Sequence, residues 1–183
     1  MIKAGIFDIG GVLLDWSNQS IFDLMHERWG ISQDAILNAW ERNIHPFSKG
    51  EITEDEFLRR FYHDADVIAE PSQNSVILEA FIKNFRINEK VLAVALQMKA
   101  NGYKIGLLSD TIDPHLDYLR FVKLPEAFDI SIFSNEVGYE KPSVEIYQMT
   151  LEQLDVKPEE AFFVDNLPPN AEGASKIGIH GIV

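Results

Sequence analysis

Apolar residues recur along this chain in two rhythms. Between about residues 17 and 85 they fall three or four positions apart: Ile21, Leu24 and Met25, then Ile36, Leu37 and Trp40, then Phe57, Leu58 and Phe61, then Val76, Ile77, Phe81 and Ile82. This spacing puts each set on one face of a helix and predicts four amphipathic helices. Gly30 followed by Ser32, Thr53 three residues ahead of Glu56, and Pro71-Ser72 supply the expected stops and caps. Outside this stretch the rhythm changes. Residues 3–7 read as a short strand that ends at Asp8 and the pair Gly10-Gly11, where the backbone can turn sharply or approach a ligand. After Asn88 a helix through Val91, Leu92, Ala95, Leu96 and Met98 runs to Asn101-Gly102. Strands follow over residues 104–108, 130–133, 161–164 and after Gly178, with helices over 143–154 and 171–176. Helices alternating with apolar strands predict an α/β fold, a parallel sheet covered on both faces, with a small helical subdomain inserted after the first strand.

In such sheets ligands bind beyond the carboxyl ends of the strands. The polar residues expected there are Asp8, Ser109-Asp110 and Asp165-Asn166, while Lys141-Pro142 lies just before a helix, where proline suits the first helical position. Singly, each has an ordinary role: an Asp after a strand is a turn or cap residue, and a lone Lys faces solvent. Together they supply what phosphoryl transfer to a carboxylate requires. A carboxylate must approach a phosphate that already bears up to two negative charges. At 4 Å and an effective dielectric of 20, two unit charges repel by about 4 kcal/mol, so a cation must offset them. Mg²⁺ takes oxygen ligands, and Asp8, Asp165, the Gly10 carbonyl and the Asn166 amide oxygen form a candidate set. Lys141 is placed to neutralise a further phosphate oxygen, and Ser109 with nearby backbone N–H groups to hold the rest.

Four segments now stand in order: Phe7-Asp8-Ile9-Gly10-Gly11-Val12-Leu13, Leu107-Leu108-Ser109-Asp110-Thr111, Gly138-Tyr139-Glu140-Lys141-Pro142 and Phe163-Val164-Asp165-Asn166. They resemble the four motifs of the haloacid dehalogenase superfamily. With Gly50-Glu51-Ile52-Thr53, they are most similar to the α-glucose-1-phosphate phosphatases and the phosphatase domain of soluble epoxide hydrolases. The resemblance implies a Rossmann-like open parallel core from residues 1–16 and 86–183, with residues 17–85 as a four-helix cap over the site. It also implies a Mg²⁺-dependent phosphatase acting on a small phosphorylated metabolite, a sugar phosphate among the expected substrates. Asp8 would be the nucleophile and Lys141 its catalytic partner. Gly10, Gly11, Ser109, Asp110 and Lys141 would bind substrate.

Three positions depart from the family pattern. Gly10 stands where most phosphatases of the family carry a second Asp, the general acid and base, a function typically worth about 10²–10⁴-fold in rate. Asp15 is a nearby substitute on sequence distance alone. Asn166 replaces a second carboxylate of the acidic pair, and Asp110 replaces a common Asn, a change favourable only if its carboxylate faces substrate hydroxyls or a helix N-terminus. These departures leave two other readings open: a metal-independent dehalogenase, and a weakened member that binds a phosphorylated ligand.

Composition narrows the partners. With 29 acidic against 16 basic residues in 183, a formal charge of −13 repels nucleic acid and anionic membrane surfaces. The absence of cysteine excludes disulfides and thiolate chemistry and fits a cytoplasmic setting. Asp8 interrupts the apolar N-terminal stretch and no basic leader precedes it, so it reads as strand and turn, not a signal peptide, and a soluble protein is expected. The five histidines are scattered and read as surface or packing residues. Trp16, Trp29 and Trp40 read as packing residues of the helical segment, with Trp16 the best placed to line an entrance.

Overall fold

The computed structural model describes residues 1–68 and 75–183. Five parallel strands form one sheet: β1 (Ala4–Phe7), β2 (Lys104–Ser109), β3 (Ile130–Phe133), β4 (Ala161–Val164) and β5 (His180–Ile182), in the order β3-β2-β1-β4-β5. Period-two alternation divides their side chains between two cores. Phe7, Ile105, Leu107 and Phe133 pack on one face, beneath Ala95 of α5 (Glu89–Ala100) and Leu116 and Leu119 of α6 (Asp113–Phe121). Ala4, Ile6, Leu108, Ile132 and Phe163 pack on the other, beneath α8 (Val144–Leu154) and α9 (Pro168–Lys176), which contribute Ile146, Tyr147, Leu151 and Ala174. The result is the expected Rossmann-like α/β arrangement with helices on both faces. A short helix, α7 (Ser134–Val137), follows β3.

The 3.6-residue rhythm becomes α1 (Gln19–Trp29), α2 (Gln33–Ser48), α3 (Glu54–Asp64) and α4 (Val76–Asn84). Their inward faces share a third core, with Ile21, Met25, Ile36, Trp40, Phe47, Phe57, Phe61 and Ile77 all buried. Gly30 ends α1 in the left-handed conformation (φ 67°), and the Ser32 hydroxyl accepts a hydrogen bond from Ala35 N. Thr53 likewise accepts from Glu56 N, but the reciprocal half of a capping box is replaced, because the Glu56 carboxylate pairs with Arg59 and Arg60. The stop expected at Pro71-Ser72 lies outside the described residues; Ser75 caps α4 by accepting from Leu78 N.

The helical segment leaves and rejoins the sheet along two adjacent stretches. Asp15 N donates to Arg86 O (3.0 Å) and Asn88 N to Leu13 O (2.8 Å). At its far end, Ser134 ties α2 to the sheet: its hydroxyl donates to Ser48 O (2.6 Å) and accepts from Thr111 N (2.9 Å). Among the described residues no helix is long and apolar enough to cross a membrane.

Candidate active site

The chain runs from β1 outward to β2 and β3, then returns to place β4 on the other side of β1. The order reverses there, and the crevice at such a switch point is where this architecture binds ligands. Asp8 follows β1, Asp165 follows β4, and Ser109 is the last residue of β2. Asp8 N donates to Val164 O (2.9 Å) and so carries the β1–β4 pairing to the rim.

Lys141 brings the carboxylates together. Its Nζ donates to Asp8 Oδ1 and to Asp165 Oδ2, each at 2.7 Å, with Leu108 O at 3.4 Å. All three side chains are almost wholly enclosed, the lysine 2% exposed, so the ammonium cannot recruit water in place of either partner. Burial alone would depress the Lys141 pKa, yet Asp8, Asp110 and Asp165 outweigh it and raise the pKa, which keeps the group an ammonium. Burial, with Asp165 adding, raises the Asp8 pKa against the opposing pull of Lys141.

Asp165 is anchored by its own loop. Its Oδ1 accepts from Leu167 N (2.8 Å), and its Oδ2 accepts a further hydrogen bond from Asn170 Nδ2 (3.0 Å). Asn170 is buried on α9, and the Tyr147 hydroxyl holds that turn by donating to Asn170 O (2.7 Å). The sequence reading missed Asn170. The available signal was a polar residue five positions after Asp165, just past Pro168-Pro169.

Asp8, Gly10, Ser109, Asp110, Lys141 and Asn166 line one cavity of about 320 Å³, joined by Asn170. Gly11 and Asp165 stand outside its wall. Gly11 adopts φ +79°, and a Cβ there would come within 2.6 Å of the Asn166 side chain, so the close packing of this loop requires glycine. Gly10 is different: a Cβ would rest 3.8 Å from Trp16 Cδ1, an ordinary contact, so space does not explain the missing carboxylate. Asp15 does not line the cavity; it lies in an adjoining cleft with Asn84 and Arg86 that shares Trp16 and Ser17 with it.

Asp110 Oδ1 accepts from Lys141 N (2.9 Å). Its carboxyl reaches water through the cavity, but the protein packed around it pushes its pKa up to about 6, with Glu140 and Asp8 adding and Lys141 opposing. A carboxyl whose folded pKa exceeds its ordinary 3.8 stabilises the fold most below that value, and the contribution disappears as pH rises through about 6. In chelator, the thermal midpoint is therefore expected to fall between pH 5 and 7.5. Asp110→Asn, which keeps an oxygen for Lys141 N, should raise the midpoint at pH 7.5 and flatten the slope. Asp8 acts in the same direction, so some slope remains. An unchanged slope in the variant would contradict this assignment.

The donors suit a hard divalent cation. Two carboxylates share a single ammonium, Asp110 adds a third negative group once ionised, and the neutral side chains of Ser109, Thr111, Asn166 and Asn170 stand around them. Among the described residues no cluster of three or more His, Asp or Glu side chains has metal-binding geometry, so neutral oxygens would complete any shell.

Residues 2–178 match the profile of the haloacid dehalogenase-like hydrolases. The chain belongs to this family. The hydrolase is 30% identical over 201 residues to acyl-CoA dehydrogenase family member 10 of Mus musculus, an alignment covering 98% of this chain and 18% of that protein. It is 25% identical over 183 residues to a sesquiterpene phosphatase of Aspergillus oryzae, covering 98% and 88%. A HAD family enzyme of Bacteroides thetaiotaomicron, solved with magnesium and inorganic phosphate, superposes with a TM-score of 0.78 at 23% identity, over 98% of this chain and 92% of that one. That likeness shows the shared fold.

Proposed function

We propose that this hydrolase is a Mg²⁺-dependent phosphatase of small phosphate monoesters that works through an aspartyl-phosphate on Asp8. The observation that carries the reading is the shared Lys141 ammonium, 2.7 Å from both Asp8 and Asp165 at the switch point of the sheet. Phosphatases among its sequence relatives, and a family enzyme solved with magnesium and phosphate, support it.

In this reading an Asp8 carboxylate oxygen forms a bond to phosphorus while the bond from phosphorus to the ester oxygen breaks, and the alcohol leaves with a proton. Water then attacks the acyl phosphate, releasing inorganic phosphate and regenerating Asp8. Lys141 offsets charge on the phosphoryl oxygens, and Ser109 and Asn170 line their approach. Asp110 lines the cavity with a pKa pushed up to about 6, and in this reading it would lend and retake the proton that an Asp at position 10 would otherwise carry. Asp8, Asp165, the Gly10 carbonyl and the Asn166 amide oxygen would hold Mg²⁺, which when bound neutralises phosphate charge. Residues 17–85 are read as the cap and the paired stretches at Asp15 and Arg86 as its attachment to the core of residues 1–16 and 86–183. A small phosphorylated metabolite in the cytoplasm agrees with the acidic, cysteine-free composition.

The direct test is phosphate release from a panel of small monoesters with Mg²⁺ and with chelator. Turnover is expected with the metal and should fall by at least about 10²-fold without it. Halide release from 2-haloacids that survives chelator would instead establish the dehalogenase reading.

A further inference from the structure

Besides its polar groups, the same cavity has a wall of another kind. Leu14 and Trp16 come from the loop after β1, Phe81 from α4, and His115 and Leu119 from α6. The three rings pack on one another: His115 lies nearly parallel to Phe81 at 4.1 Å and 22°, and Trp16 meets both edge-on, at 4.9 Å and 5.3 Å. His115 is 8% exposed, and burial drives its pKa down to about 3, so the wall carries no charge at neutral pH. Its Nε2 is buried without a hydrogen-bond partner among the described residues, which marks a region built without polar complements. Beyond Asp8, Ser109, Asp110, Lys141, Asn166 and Asn170, the polar side chains lining the cavity are the exposed Ser17 and Asn18 and the buried Thr111.

We infer that the leaving group of the substrate is an apolar or aromatic alcohol seated on the Trp16–Phe81–His115 wall, and not a polyhydroxylated sugar. A sugar hydroxyl packed against these rings would give up water without gaining a partner from them, whereas an aryl or isoprenoid chain would exchange water for apolar contact, chiefly with the half-buried Trp16, since Phe81 and His115 are only 2% and 8% exposed. The proposal rests on the phosphatase reading for its phosphate end only. It revises the expectation of a sugar phosphate, which rested on motif resemblance and took no account of α6.

The test compares 2-phenylethyl phosphate with glucose 6-phosphate, both esters of primary alcohols, so that leaving-group reactivity is similar. The wild-type protein with Mg²⁺ is expected to show at least about tenfold higher kcat/KM for the phenylethyl ester, mostly through KM. Trp16→Ala should remove most of that preference while inhibition by inorganic phosphate stays within about twofold, because a phosphate ion carries no apolar group for the indole to hold. Equal or better turnover of glucose 6-phosphate by the wild-type protein overturns the inference, as does a Trp16→Ala change that affects both esters alike. Calorimetric binding of 3-phenylpropylphosphonate against the phosphonate analogue of glucose 6-phosphate reads the same preference without chemistry. A protein that prefers the phenyl phosphonate yet cleaves neither ester would keep the apolar seat on the Trp16–Phe81–His115 wall and lose the phosphatase reading.

Discussion

Asp8→Asn is expected to lower phosphate release from any monoester by about 10⁴-fold or more while the protein stays folded. The amide keeps the size of the side chain and an oxygen for Lys141 Nζ, now 2.7 Å from Asp8 Oδ1, but it lacks the charge and lone-pair availability that attack on phosphorus needs. Stability should move the other way. Burial and Asp165 raise the Asp8 pKa, so an ionised Asp8 is a cost to the metal-free fold at neutral pH. The variant should therefore melt no lower than wild type in chelator and respond less to added Mg²⁺. Phosphate release and thermal melts on the same preparations separate the two effects. A variant that turns over at the parental rate eliminates Asp8 as nucleophile, and one that is inactive because it is unfolded shows itself in the melt.

The sheet was legible because its strands are short apolar runs closed by polar residues. The runs over 130–133 and 161–164 coincide with β3 and β4, and those over 3–7 and 104–108 differ from β1 and β2 by one residue at an end. The helical caps at Ser32 and Thr53 were equally local, each a side chain closing on a backbone N–H three residues away. Longer-range features were not. The apolar positions around Asp113–Phe121, namely Ile112, Leu116 and Leu119, make only a short stripe, because α6 carries Pro114 in its first turn and mixes His115, Asp117 and Arg120 among them. That helix was missed, and with it the role of His115, which looked like a packing residue and does pack, against Phe81, while also facing the cavity. Lys141-Pro142 was expected in a loop just before a helix over 143–154, and it lies there: α8 begins at Val144 with Ser143 as its N-cap, and Pro142 belongs to the loop that delivers Lys141. The charges that chemistry demands could be listed from sequence. That one ammonium would sit between two of them depends on β4 lying beside β1, a consequence of strand order and not of spacing along the chain.

That shared ammonium makes Lys141→Met the most disruptive single change expected in this protein. Methionine fills much of the same slot, so little packing is lost; what disappears is the positive charge between Asp8 and Asp165. Removing one partner of a buried ionic group typically costs about 3–5 kcal/mol, because the remaining charges are neither solvated nor paired. Asn170 and Leu167 still donate to Asp165, which places the cost mainly on Asp8, whose pKa should climb further until it binds a proton. The metal-free variant should thus lose several kcal/mol at pH 7.5 and recover part of it at pH 5, and chemical denaturation at the two pH values measures both numbers. Mg²⁺ should restore part of the loss at pH 7.5, since a cation near the two carboxylates offsets the charge the lysine supplied. It should not restore turnover, expected to stay about 10²–10³-fold low without the ammonium on the phosphoryl oxygens. Denaturation midpoints equal to wild type in chelator would mean that the two carboxylates do not depend on Lys141. Stability rescued by Mg²⁺ without recovery of rate would separate the structural charge balance of the site from its use in catalysis.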